Sequence, residues 1–87
     1  MIKWLTKETY ANNIQNRTYR CFFYSGDRNE PIHVHVECDN KLAKLWVDPV
    51  RLQSSGGFKR SEINKLISIV QKRQIEIMET WNEYFNS

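Results

Sequence analysis

Long apolar runs, cysteine, glycine and proline are all scarce in this 87-residue chain, and each scarcity removes a class of protein. The longest apolar run is only a few residues, against the roughly 20 needed to span a bilayer, so no membrane partner is expected. The first residues, Met1-Ile2-Lys3-Trp4-Leu5-Thr6-Lys7-Glu8, lack the apolar region of about 7–15 residues that a secretory signal requires, which predicts a cytoplasmic protein. Three glycines and two prolines, with no low-complexity tract and no internal repeat, argue against a disordered or fibrous chain. Cys21 and Cys38 form no CxxC pair and are too few for a disulfide framework, so both are expected as reduced packing residues. No strong excess of one charge is present either: the net charge is +3 and the pI about 9.0, which permits nucleic acid or an acidic partner but demands neither.

Aromatic residues are plentiful, with three Trp, four Tyr and four Phe. Residues 1–87 are read as a single small domain, in which nearly every large apolar side chain is needed for the core. Residues 1–17 read as an N-terminal arm or short helix, with Thr6 as the cap of a helix over 7–15, Leu5 and Tyr10 as a hydrophobic staple, and Tyr10 and Ile14 as its apolar stripe. Residues 19–52 read as a β-meander. Tyr19-Arg20-Cys21-Phe22-Phe23-Tyr24-Ser25 is rich in strand formers, Gly26-Asp27-Arg28-Asn29-Glu30-Pro31 is a turn by composition, and Val50-Arg51-Leu52 adds a short edge. Residues 53–60 read as a flexible loop. Residues 61–85 read as one long helix capped by Ser61, with Ile63, Leu66, Ile67, Val70, Ile77, Met78, Trp81 and Phe85 at helical spacing and Gln74 interrupting the stripe. The expected fold is therefore α+β: an antiparallel meander of three to four strands with the long C-terminal helix packed on one face.

The stretch Glu30-Pro31-Ile32-His33-Val34-His35-Val36-Glu37 carries the most chemistry, because a strand sorts its side chains by parity. Ile32, Val34 and Val36 point one way, an ordinary core face. His33, His35 and Glu37 point the other way, and these are the only two histidines in the chain. If Asp39-Asn40 is a two-residue hairpin loop, Cys38 faces Lys41, Val36 faces Ala43, Val34 faces Leu45 and Ile32 faces Val47. The same register sets His35 opposite Lys44, His33 opposite Trp46 and Glu37 opposite Leu42. The histidine face thereby gains an indole and an ammonium.

The run Phe22-Phe23-Tyr24-Ser25-Gly26-Asp27-Arg28-Asn29-Glu30-Pro31-Ile32-His33-Val34-His35-Val36-Glu37 resembles a family of small uncharacterised bacterial proteins, a domain of unknown function. That family's hallmark is an aromatic strand, an acidic turn, and Pro-Pro-His-x-His-Val or a close variant. The resemblance continues through Ala43-Lys44-Leu45-Trp46-Val47-Asp48-Pro49 and the closing helix with Trp81-Asn82-Glu83, covering roughly residues 19–85. Glu30 stands where many relatives carry a first proline, and residues 1–17 depart from the short strand-like start the family implies. Members are often encoded beside a second small protein, which implies a toxin–antitoxin-like pair. No established reaction comes with the resemblance.

Three chemistries fit the histidine face. His33 and His35, joined by Asp27, Glu37 or Asp48, form a His₂-carboxylate set of the kind that binds a divalent transition metal. Without metal, His33 and His35 supply an acid–base pair for phosphodiester cleavage, with Lys44 or Arg28 stabilising the developing charge. As a binding surface, Trp46, Phe22, Tyr24, Arg20 and Arg28 alternate aromatic and basic groups that suit a small protein partner, a second copy of the chain or single-stranded nucleic acid. The leading expectation is protein association in the two-component setting. The alternative is a metal-assisted or histidine-based nuclease or hydrolase on the same face.

Overall fold

A computed structural model describes the backbone of residues 2–11 and 16–86 and the side chains of Leu5 and residues 18–86. Five antiparallel strands run in sequence order across one sheet: β1 (Ile2–Ala11), β2 (Asn16–Tyr24), β3 (His33–Cys38), β4 (Lys41–Val47) and β5 (Val50–Ser54). A short 3-10 helix, Ser25–Asn29, separates β2 from β3, and two helices follow the sheet, α1 (Arg60–Lys72) and α2 (Gln74–Asn86). The α+β meander stands, with one more strand and one more helix than expected.

Each departure has a local cause. The N-terminal segment is not a helix capped at Thr6: residues 2–11 pair along the whole length of β2, from Ile2 with Tyr24 to Ala11 with Asn16, and the register shifts between Trp4 and Thr6. Two helical apolar positions give little burial, whereas joining the sheet satisfies a row of backbone donors and acceptors. Ile14, the second residue of the expected stripe, lies outside the described residues. The long helix is broken at Arg73, whose φ of −104° and ψ of 9° leave the helical region. The Arg73 amide still donates to the carbonyls of Ile69 and Val70, at 3.1 and 3.2 Å, and Ile77 picks up the Arg73 carbonyl at 2.9 Å. Gln74, the polar gap in the stripe, begins α2 and donates from Nε2 to the Val47 carbonyl at 2.7 Å, pinning the new helix to β4. The cap of α1 is Lys59 rather than Ser61. Gln53 and Ser54, assigned to the loop, complete β5 instead. The turn that follows is built on Gly56 at φ 57°, where a Cβ would collide with the backbone carbonyl of Leu42.

The β3–β4 register is the expected one at every position from His33–Trp46 to Cys38–Lys41, and the Val47 amide bonds the Ile32 carbonyl at 3.1 Å. Asp39 makes the hairpin turn at φ 56°. Tyr19, Cys21, Val34, Val36, Cys38, Ala43, Leu45 and Val47 line one sheet face and are buried against Leu66, Ile69 and Val70 of α1 and Ile77 of α2. Both cysteines are buried and neither forms a disulfide, as expected of packing residues. A second cluster joins Phe23 to Trp81 and Phe85 and packs the end of α2. The X-Pro bond in the cis form is Asp48–Pro49, not Glu30–Pro31.

Candidate metal centre

The 3-10 helix after β2 folds the chain back so that its third residue, Asp27, meets the start of β3. The Tyr24 amide donates to Asp27 Oδ2 at 2.9 Å and sets the carboxylate's direction. The same oxygen lies 3.0 Å from His33 Nε2 and 3.6 Å from His35 Nε2. One ligand atom from each of the three residues falls within 4.8 Å of the others. Ligands about 2.0–2.2 Å from a tetrahedral ion stand about 3.3–3.6 Å apart, against 3.0 and 3.6 Å here from Asp27 Oδ2 to the two imidazoles.

His33 is completely buried, and its Nδ1 lies 2.9 Å from the Pro31 carbonyl oxygen. A carbonyl can only accept, so Nδ1 carries the proton. The ring's other nitrogen, Nε2, then faces the Asp27 carboxylate at 3.0 Å. Neither His33 Nε2 nor His35 Nε2 makes a hydrogen bond, although both atoms are buried. Such a group needs a cation or a proton to justify its burial. A ligating histidine whose other ring nitrogen is held by a backbone carbonyl, beside a carboxylate held by a backbone amide, is also how metal sites orient their ligands. His35 titrates below its ordinary value, chiefly because burial penalises the charged ring and secondarily because His33 stands beside it. That keeps it in the form that binds metal.

Aromatic rings frame the centre. His35 stacks on Phe22 at 5.6 Å and meets Tyr24 at 4.8 Å, while His33 is edge-on to Trp46 at 5.8 Å and to Trp81 at 5.2 Å. His35 and Asp27 each keep 13% side-chain exposure, so access is from their side rather than from His33.

Of the carboxylates offered by the sequence, only Asp27 reaches the imidazoles. Glu37 shares the strand face but lies beyond His35, opposite Arg20, with which it pairs at 3.7 Å. Asp48 sits exposed in the β4–β5 turn, outside the cluster. Lys44 spends its ammonium on Glu30, at 2.6 Å, and lies over the Trp46 ring at 5.0 Å. Arg28 donates to the Phe85 carbonyl at 2.7 Å, clamping the Asp27 turn to the end of α2. Phe22, expected on a binding surface, is buried beneath His35 and Tyr24. A water-facing histidine pair is therefore not what the fold builds. Trp81, expected only as part of the helical apolar stripe, walls His33; its helical spacing with Phe85 was the available signal.

A family model for a domain of unknown function (DUF4160) matches residues 18–82, from Thr18 in β2 through Asn82 in α2. The chain belongs to this family. The match spans every residue of the centre together with its Tyr24 and Trp46 walls. No curated protein and no solved structure matches the chain.

Proposed function

We propose that this member of the family binds one divalent transition-metal ion through Asp27 Oδ2, His33 Nε2 and His35 Nε2, and works as a metal-assisted hydrolase. The observation that carries the reading is the buried His33 Nε2, without a hydrogen bond and facing a carboxylate oxygen at 3.0 Å. Three protein ligands suit a catalytic site, since structural zinc sites close the fourth position with a fourth side chain. An ion held in this way supplies Lewis acidity and lowers the pKa of bound water to near 7 in zinc enzymes. The protein's own contribution is to orient the ligands through the Pro31 carbonyl and Tyr24 amide, and to exclude water from His33 with Trp46 and Trp81. Metal-free acid–base catalysis is less well served, because His33 Nδ1 is committed and Arg28 points to Phe85.

The test is the metal content of tag-free protein purified without chelator, for wild type and the His33→Ala/His35→Ala double variant, each checked for folding by circular dichroism. Near-stoichiometric zinc, manganese, nickel or iron that disappears in a folded double variant is the expected result. Metal absent from both, including after incubation with an excess of each ion, would retire the reading.

Association with a small protein partner in a toxin–antitoxin-like pair, or with a second copy, is the second reading. Leu42, 40% exposed, and the half-buried Trp46 lie on the same helix-free face and favour it. In that case Trp46→Ala weakens association more than His33→Ala does.

A further inference from the structure

The exposed edges of His35 and Asp27 adjoin a sheet face that, apart from Trp81 of α2 beside His33, carries no helix packing among the described residues, and its surroundings have a definite character. Tyr24 and Trp46, both half-buried, stand on either side of the ligand pair, 4.8 Å from His35 and 5.8 Å from His33 respectively. Lys44 is directly opposite His35 in the register, and Arg51 is directly opposite Trp46 on the neighbouring strand. The partner of Lys44, Glu30, is itself exposed, so an incoming anion can displace it. Across the strands from the histidines, the face therefore offers Lys44 and Trp46 side by side on β4 and Arg51 beyond them on β5.

Alternating flat apolar groups and negative charges are the chemistry of a single nucleic-acid strand, in which every base has a π-face and every linkage one anionic phosphate. A bare anion would use the ion and Lys44 but leave the two rings idle. An apolar peptide would use the rings but not the cations. Resting on the metal reading above, we infer that the substrate is a phosphodiester of single-stranded nucleic acid, its phosphate held by the ion and Lys44, its flanking bases stacked on Tyr24 and Trp46, and the next phosphate near Arg51. Hydrolysis of such a linkage forms one phosphorus–oxygen bond from water, breaks the ester bond opposite, and passes a water proton to the departing oxygen, with no change of oxidation state.

Fluorescence anisotropy of short labelled oligouridylate and oligothymidylate on zinc-loaded protein tests this, with zinc content measured on every variant. Trp46→Ala is expected to keep its zinc and bind about tenfold more weakly, the loss of one stacked base. Lys44→Gln is expected to keep its zinc, bind more weakly and show a shallower dependence on salt. Preference for the uridylate or the thymidylate assigns RNA or DNA as the source of the phosphodiester, and either supports the inference. Full zinc loading with no oligonucleotide binding, with binding unchanged in Trp46→Ala and Lys44→Gln, or with inorganic phosphate competing as well as the oligonucleotides do, would overturn the substrate class and leave the metal site intact. Failure of the wild type to take up zinc or any other divalent transition metal would overturn the metal reading and the substrate class with it.

Discussion

Strand β3 belongs to two different materials. On the helix side, Val34, Val36 and Cys38 disappear into hydrocarbon shared with Leu45, Leu66, Ile69 and Val70, where volume and shape matter most. On the other side, His33 and His35 are enclosed by aromatic rings and one carboxylate, where the identity of each atom matters and volume is secondary. Parity along one strand puts stability and chemistry one residue apart. The two sides are also joined by Trp81, which meets both His33 and Phe23, and by a hydrogen bond from Arg28 that ties the turn carrying Asp27 to Phe85 in the last turn of α2.

Breaking the helix side alone gives the largest expected effect. Leu45→Ala removes a fully buried side chain and costs about 2–5 kcal/mol in chemical denaturation, with metal stoichiometry unchanged in the molecules that remain folded. Next comes Gly56→Ala. With a positive φ and the Leu42 carbonyl in the way of a Cβ, it costs about 1–3 kcal/mol by the same measurement and again spares the ligands. Arg28→Ala sharpens the comparison by cutting one link between the sides. Loss of one charge-assisted hydrogen bond costs about 1–2 kcal/mol of stability and, unlike the first two substitutions, weakens metal affinity in titration calorimetry.

The smallest effect is a pH slope confined to the histidine side. His35 has its pKa lowered in the fold, so the native state resists the proton that the unfolded chain accepts. Its contribution is fully present above the ordinary value of about 6.5 and is lost as pH falls below it toward the folded value. Denaturation in chelator at a series of pH values should show stability declining through that window, with the decline shallower in His35→Gln.

Much of this was legible in the residues. Alternation in β3 and the turn residues Asp39-Asn40 sufficed for the hairpin register, because a one-residue slip would turn His33 and His35 to the face of Ala43, Leu45 and Val47, and the two-residue turn disfavours a longer slip. Parity also located the histidine face, but it could not choose among Asp27, Glu37 and Asp48. A carboxylate on the same face two residues along the strand is about 7 Å farther on, out of reach, whereas one carried by a turn can fold back. Nothing in Gly26-Asp27-Arg28-Asn29 encodes that return in isolation; it depends on the Tyr24 amide and on Arg28 finding the end of α2. The N-terminal segment misled for a related reason. Its polar, mixed composition suits a weak helix as well as a strand, and pairing with β2 decides between them. The helix break at Arg73 was signalled by Gln74, but its purpose, a hydrogen bond to Val47, is a tertiary fact.

The most direct test of the account is a zinc titration of wild type, Asp27→Asn and Glu37→Gln by calorimetry, since the two carboxylates were equivalent by sequence and only Asp27 meets both imidazoles. One ion per chain in wild type and in Glu37→Gln, with binding lost or weakened at least tenfold in folded Asp27→Asn, is the predicted result. Equal affinity in Asp27→Asn and wild type, or no uptake by wild type, would contradict it.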